Sequence, residues 1–273
     1  MLKIALPNKG RLNDETRELF GDAGLEIRAR GERALTASLG GEFAALFVRA
    51  QDIPEFVADG AADAGVTGWD LVCESGRALD MLMDLEFGRC RLVVAARDDL
   101  GIASLEDLAG TPRVATPFPR LAQRFFERRG RGVEIVPMSG AAEIAPHLGI
   151  ADVIVDLTST GSTLRVNGLR EMETILESSA RLIAPPATAR SSQVRALEEL
   201  VAALASVLRA RGKRYVMANV PRAALEQERS LGGRERVERS GEAERGNTHG
   251  ISLSILVTRM PSAPSALRSA MVR

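Results

Sequence analysis

The chain has 273 residues, 45 % of them hydrophobic and 26 % charged, with 36 Lys plus Arg balanced by 36 Asp plus Glu. That length can bury a sizeable core in one or two domains. The neutral balance argues against nucleic acid or a membrane surface as partner, so any anionic ligand has to be met by a local cluster of cations.

The first residues, "MLKIALPNKGRLNDE", lack a signal peptide's apolar stretch because Pro7, Asn8 and Lys9 interrupt it. No later run approaches the ~18 apolar residues of a membrane helix, so a cytoplasmic protein is expected. "LKIALP" predicts a strand, and Asn13 a cap for the helix "DETRELFGDAG", which carries acids in its first turn and Gly24 at its end. "EFAALFVR" predicts a second strand. In "QDIPEFVADG" Asp52 is placed to cap a helix with Pro54 in its first turn. "ADAGVTG" predicts a short strand. Cys73 and Cys90 form neither a CxxC pair nor a disulfide framework. They suit a reducing compartment as small core residues.

After Phe87 the pattern restarts: strand "CRLVVAAR", then "SLEDLAG" with a Ser cap and Asp107 three residues on. There follow strand "PRVAT", the basic amphipathic helix "RLAQRFFERRG", strand "VEIVPM" and a helix over "AAEIAPHLG". This alternation predicts an α/β protein with largely parallel strands. The expected fold is two α/β lobes with a ligand cleft between them, beyond the carboxyl ends of the strands. Lobe I spans 1–88, with 178–212 returning to it, and lobe II spans 89–177. The two lobes resemble type II periplasmic binding proteins. From Ser191 a helix has an apolar stripe of Val194, Leu197, Val201, Leu204 and Leu208, and "RYVMANVP" predicts a strand. Beyond it, "QERSLGGRERVERSGEAERGNTHG" offers only Leu231 and Val237 as sizeable apolar residues, the composition of a linker. "ISLSILVTR" could alternate as one strand, and "MPSAPSALRSAMVR" predicts weak structure.

The segment "ADVIVDLTSTGSTL" changes character halfway. A buried strand would deliver Asp156 to its carboxyl end, and Thr158, Ser159, Thr160, Gly161, Ser162 and Thr163 would then turn into a helix beginning near Thr163 or Leu164. One reading is a polar turn. The other is a phosphate cradle: Gly161 permits a torsion that lets backbone N–H groups converge, and hydroxyls add donors without charge. Asp156 beside it could accept hydrogen bonds from a sugar diol. Lys9, Gly10 and Arg11, just past the first strand, are either a solvated basic turn or a place where cations meet phosphates. His147 reads as a surface residue, Trp69 as packing, and the Arg128–Arg131 cluster as a solvated helix end.

Glu143, Gly149, Ala151, Ile154, Asp156, Leu157, Thr160, Gly161, Thr163 and Leu164 stand together as "EIAPHLGIADVIVDLTSTGSTL". This resembles the signature segment of the ATP phosphoribosyltransferase family. "LPNKGRL", "VRAQDIPEFVADGAADAGVTGWDLVCESG" and "LAGTPRVATPFPRL" resemble that family's other characteristic stretches, in the same order, from roughly Met1 to Pro221. The resemblance implies displacement at the anomeric carbon of phosphoribosyl pyrophosphate (PRPP) by N1 of ATP, with Mg²⁺ and cations neutralising the departing pyrophosphate. Mg²⁺ keeps waters and substrate phosphates as ligands plus one or two carboxylates. By the resemblance, Lys9, Arg11, Arg49 and, less closely matched, Arg33 face the diphosphate. Glu143 and Asp156 meet the ribose hydroxyls or the Mg²⁺ shell, and Thr158–Thr163 hold the 5′-phosphate.

The family has a long form with a histidine-binding C-terminal domain and a short form that works with a regulatory subunit resembling histidyl-tRNA synthetase. Here the helix from Ser191 and the strand near Tyr215 resemble the long form's entry to that domain, but 213–273 then departs from it. The expected extension is a partial regulatory-like strand followed by linker. A homo-oligomer is expected, and the separate regulatory subunit becomes the expected partner if the C-terminal domain is non-functional. The rival readings are a two-lobed module for small solutes and an inactive regulatory protein on the same scaffold.

Overall fold

The structure is a computed structural model that describes residues 1–29, 31, 34–102, 104–189, 194–221, 237–238 and 250–258, the last strands (from 213 on) by backbone alone. In chain order it begins with β1 (Leu2–Pro7), α1 (Arg11–Asp22), β2 (Ile27–Ala29), β3 (Thr36–Leu39), β4 (Phe43–Val48), α2 (Ile53–Ala58), β5 (Ala64–Gly68), α3 (Trp69–Ser75) and β6 (Asp80–Asp84). Next come β7 (Cys90–Arg97), β8 (Arg113–Thr116), α4 (Pro119–Arg128), β9 (Glu134–Pro137), β10 (Val153–Thr158), α5 (Ser162–Val166) and β11 (Leu169–Ser178). β12 (Ala180–Ala184), α6 (Val194–Ala210), β13 (Lys213–Pro221), β14 (Val237–Glu238) and β15 (Gly250–Thr258) complete it. The chain divides into two bodies, Met1–Ser206 and Val207–Arg273.

The first body holds two sheets. One has the order β2-β3-β4-β1-β5-β12-β6 and the other β11-β7-β10-β8-β9. In the first, β1 runs parallel to β4 and β5, while β12 returns from the second lobe antiparallel to β5 and β6. In the second, β10 runs parallel to β8 and antiparallel to β7, and β8 parallel to β9. The two-lobed α/β fold is therefore present, but the strands are not largely parallel as expected: among the described pairings of these two sheets four are parallel and six antiparallel, because β2, β3, β7, β11 and β12 join as antiparallel neighbours. Leu92, Val94, Val114, Phe125, Phe126, Val153 and Val155 are buried between the second sheet and α4, with the Phe125 and Phe126 rings edge to face at 5.2 Å.

Several predicted boundaries shift. α1 starts at Arg11, with Gly10 as its N-cap at φ 77° and no side-chain cap. Asn13 lies inside the helix, where its amide donates to the Pro7 carbonyl at 2.5 Å and its Oδ1 accepts from Arg17 Nε at 3.0 Å. The helix over "AAEIAPHLG" is only a 3₁₀ turn, Ala142–Ile144, because Pro146 lacks an N–H and disfavours helix before it. Ser104 and Asp107 do form the expected capping box, though on a 3₁₀ turn. On α6 the buried stripe is Leu197, Leu200, Leu204 and Leu208, and Val194 is exposed.

In the second body β15 pairs antiparallel with both β13 and β14. The predicted strands over "RYVMANVP" and "ISLSILVTR" are present, and Val237–Glu238, inside the expected linker, also pairs. The rest of that linker and the Pro/Ser-rich end lie outside the described residues.

The lobes are joined by two adjacent chain passages. Leu85 N donates to Ala180 O at 3.0 Å, and Ala180 N to Phe87 O at 2.9 Å. A second join runs from α3 to α4. Pro119 occupies the first turn of α4, and both oxygens of Glu74 accept from the next two amides, Arg120 N and Leu121 N, each at 2.9 Å. A carboxylate from one lobe thus caps a helix of the other. Replacing Glu74 by Ala is expected to lower stability by about 1–2 kcal/mol, read as a fall of several degrees in Tm. An unchanged melting curve would refute the clamp.

Candidate active site

Lys9, Arg49, Asp156 and the loop after it fall at or just past the carboxyl ends of parallel strands. In lobe I, Pro7 of β1 pairs beside Val48 of β4, and Asn8 N donates to Val48 O at 2.9 Å. Lys9 and Arg49, each just past its strand, therefore stand at neighbouring strand ends, both exposed. Arg11 opens α1, also exposed, 3.8 Å from Glu15. The Pro7–Arg11 turn is braced by Asn13 from below, which explains an asparagine buried in a helix. Among the described residues no hydrogen bond or ion pair joins Lys9 or Arg49 to the loop after β10. Arg33 lies outside the described residues.

In lobe II, Asp156 is near the end of β10, and burial pushes its carboxyl up from the usual range to about 6. The Leu157 amide, 2.7 Å from Oδ1, opposes that shift, and the charge of Glu143 reinforces it. Glu143, on the 3₁₀ turn after β9, is thus brought into electrostatic range of Asp156.

The loop itself is open to solvent at Ser159, Thr160, Ser162 and Thr163. Thr158 is 8 % exposed, and its Oγ1 accepts from Gly161 N at 2.9 Å. It braces the bend, and that bond occupies the Gly161 amide. Gly161 is left-handed at φ 73° and caps α5, which begins at Ser162, one to two residues before the expected start. Thr160 and Ser162 hydroxyls share a hydrogen bond at 2.9 Å. A side chain at 161 would meet Arg165, whose Nη1 donates to Thr160 O at 3.2 Å. Arg165 was not singled out in the sequence; its place one turn into the helix after the loop is the signal that could have found it.

The loop also meets the crossover. Thr158 pairs across from Arg91 in β7, and Ser159 lines a cavity of about 370 Å³ with Arg89, Cys90, Arg91 and Arg181. Arg11 is close enough for its charge to act on the Cys90 thiol. Burial raises both cysteine thiols, with Asp70 adding to it, so neither is poised as a nucleophile. His147 is exposed with Nε2 2.7 Å from Asn167 O, and Trp69 packs against the core around Ile53, Val57 and Val72. Among the described residues no group of three or more His, Cys, Asp and Glu could hold a metal ion.

Residues 49–206 match the family model described as ATP phosphoribosyltransferase. The chain is 70 % identical over 237 residues to an ATP phosphoribosyltransferase of Gemmatimonas aurantiaca, covering 85 % of this chain and 81 % of that one. It is 50 % identical to the namesake protein of Natronomonas pharaonis, covering 82 % and 79 %. The chain belongs to the ATP phosphoribosyltransferase family. It is a transferase of the first step of histidine biosynthesis.

Among solved structures, the ATP phosphoribosyl transferase (HisG:HisZ) complex from Thermotoga maritima matches with TM-score 0.67 at 29 % identity, over 77 % of this chain and 99 % of that one. A protein solved with L-arginine, Tv2483, matches with TM-score 0.50 at 15 % identity, over 84 % and 86 %, which shows a shared fold alone. Among the described residues no helix is long and apolar enough to cross a membrane.

The raised carboxyl of this phosphoribosyltransferase has a measurable consequence. The folded Asp156 keeps its proton up to about pH 6, whereas the unfolded one loses it near ~4. The fold therefore loses stability as pH rises from ~4 to ~6 and stays at that deficit above. The full difference corresponds to roughly 3 kcal/mol, which solvent at the loop mouth reduces to about 1–2 kcal/mol. Asp156→Asn is expected to be more stable than the parent by that amount in urea at pH 8, the gap closing by about pH 4. A pH-independent gap would contradict the burial argument.

Proposed function

We propose that the loop after β10 holds the 5′-phosphate of PRPP while the chain transfers the 5-phosphoribosyl group to N1 of ATP, forming N1-(5-phosphoribosyl)-ATP. The N1–C1 bond forms as the C1–O bond to diphosphate breaks, and the bonding pair leaves with pyrophosphate. No covalent nucleophile is required. The observation that carries this reading is an open hydroxyl-rich bend turned at a left-handed Gly161, directly after a half-buried Asp156, in a member of this family.

Thr160, Ser162 and Thr163 offer hydroxyls to the phosphate, together with first-turn amides of α5 that have no partner within the helix. Ser159 borders both loop and crossover, and Thr158 holds the bend in shape. Ionised Asp156, with Glu143, accepts from the ribose hydroxyls, fixing the sugar as oxocarbenium character develops. Lys9, Arg11 and Arg49 meet the diphosphate, and Arg33 is assigned to the same role by the resemblance alone. The carboxylate oxygens of Asp156 and Glu143 are the donor type that suits Mg²⁺, with substrate phosphates completing its shell. When bound, Mg²⁺ would neutralise charge on the departing diphosphate.

The reading divides the chain into catalytic lobes 1–88 with 178–212 and 89–177, followed by a regulatory-like extension, 213–273. The return of β12 to the first sheet supports that division. The Thermotoga neighbour is a complex of two named proteins, which supports an assembly here too, either a homo-oligomer or a pairing with a regulatory subunit. A cytoplasmic setting follows from the substrates.

Pyrophosphate release that requires ATP, PRPP and Mg²⁺ together tests the reaction; binding without turnover would favour a solute-binding module. Asp156→Ala should lower kcat/KM for PRPP about ten- to a hundredfold, and parent-like kinetics would remove Asp156 from the site. Because the carboxylate acts ionised, PRPP affinity should fall as pH drops below about 6. Gly161→Val forces a β-branched residue to φ 73° and should weaken PRPP binding at least tenfold in calorimetry. Equal binding would argue against the cradle.

A further inference from the structure

In the loop after β10, two side chains hold the two ends of a single peptide group. The N–H of the Thr160–Gly161 peptide, carried by Gly161, donates to Thr158 Oγ1 at 2.9 Å. Its carbonyl, carried by Thr160, accepts from Arg165 Nη1 at 3.2 Å. Thr158 is the buried last residue of β10 and holds the peptide from the strand side. Arg165 lies one turn into α5, where side chains lean toward the helix N-terminus, and its guanidinium folds back onto the bend. Gly161 makes room for it: a Cβ there would stand 2.9 Å from Nη1.

The torsions show what these contacts resist. Gly161 has φ 73° and ψ 3°, close to the values of the third residue of a type II turn. Turning the Thr160–Gly161 peptide over by about 180° gives a type I turn with a negative φ at 161, and glycine adopts either sign. Backbone sterics therefore leave the peptide two orientations. The two side chains differ in how they choose between them. A hydroxyl both donates and accepts, so Thr158 serves the N–H in one orientation and the carbonyl in the other. A guanidinium only donates, so Arg165 favours the orientation that points the carbonyl at it. The acids nearby do not draw Arg165 away. Asp98 and Glu171 share a groove with it. Asp98 Oδ1 is 3.4 Å from Arg170 Nε, and Glu171 Oε2 is 3.0 Å from Arg91 Nη2.

We propose that Arg165 is a positioning residue for phosphoribosyl transfer. It makes no contact with substrate. It sets the orientation of the Thr160–Gly161 peptide and, with Thr158 on the other side, keeps the loop in the form that receives the 5′-phosphate. The proposal rests on the loop reading above for the identity of that ligand. A loop that samples a second form binds more weakly in proportion to the competent fraction, so the lock acts on PRPP affinity and not on the chemical step. The lining of the loop stays uncharged, because the guanidinium is engaged on the Thr160 carbonyl.

The test compares Arg165→Met and Arg165→Lys with the parent by steady-state kinetics, and the crystal structure of Arg165→Met reads the direction of the Thr160 carbonyl. Arg165 is exposed, so both variants are expected to fold, and their melting curves check this. Arg165→Met should raise KM for PRPP about three- to tenfold while KM for ATP and kcat stay within about twofold. Arg165→Lys keeps a donor and should recover most of the loss. In the Arg165→Met crystal the Thr160 carbonyl should be turned over or occupy both orientations. A lower Tm with parent-like KM values and an unmoved carbonyl would reduce Arg165 to a structural contact and overturn the proposal. A raised PRPP KM with the carbonyl unmoved would overturn the lock as well, because the arginine would then act on the ligand directly. A carbonyl released while KM for PRPP stays at the parent value would keep Arg165 as the lock on this peptide and sink the loop reading instead.

Discussion

Two hydrogen bonds of one residue, Ala180, set the geometry of the site. Its carbonyl accepts from Leu85 and its amide donates to Phe87, locking the outgoing and returning passages side by side. Because β7 begins where the first passage ends, and β10 pairs along β7 with Thr158 opposite Arg91, the loop after β10 is delivered to the crossover rather than to a remote edge. Gly88 sits at the same place, and a side chain there would lie 2.7 Å from Leu12 of α1. That close approach brings the start of α1, and with it Arg11, against the crossover. Buried Asp70, hydrogen-bonded to Ser178 at 2.5 Å, fixes the adjoining end of β11.

Against that rigid frame, the carboxylates stand in strained surroundings. Asp156 is held where burial opposes its ionisation. Ala141, two residues before Glu143, adopts φ 53°, a left-handed torsion that a residue with a Cβ takes at a cost of about 1–2 kcal/mol. An asparagine at 156 and a glycine at 141 would relieve both. Unfavourable features at a strand end and at a separate turn, each bearing on a carboxylate, point to chemistry rather than packing.

What the sequence disclosed follows the same physical division. β1, β4, β5, β7, β8 and β10 are largely buried strands, and their apolar runs are readable as such. Of the strands that escaped notice, β2, β6 and β11 lie at sheet edges and β3 pairs beside one of them, whereas β12 is a short buried strand between β5 and β6 that edge position does not explain. β11 is mostly half-exposed and has two register shifts against β7, so its period of two is broken twice. Asn13 looked like a cap because the φ of Gly10, not a side chain, starts the helix. At the site, Asp156 and the loop were legible because they are contiguous in the chain. Arg89, Arg91 and Arg181 meet only through the crossover, and no spacing in the sequence announces a pair 90 residues apart.

The architecture by itself decides little, since a protein bound to L-arginine shares it at 15 % identity. The difference lies in what stands at the strand ends. A phosphate monoester that stays on the sugar keeps nearly constant charge through the reaction, and neutral hydroxyls and amides hold it without competing for the leaving group. A departing diphosphate gains charge as its bond breaks, and only groups that strengthen with that charge lower the barrier. On the proposed reading the fold separates these tasks. It places an uncharged loop at the end of β10, and Lys9, Arg11 and Arg49 at and just past the ends of β1 and β4. If both tasks fell to one cationic cluster, the ground state would be held as tightly as the transition state, and that binding would contribute nothing to the rate.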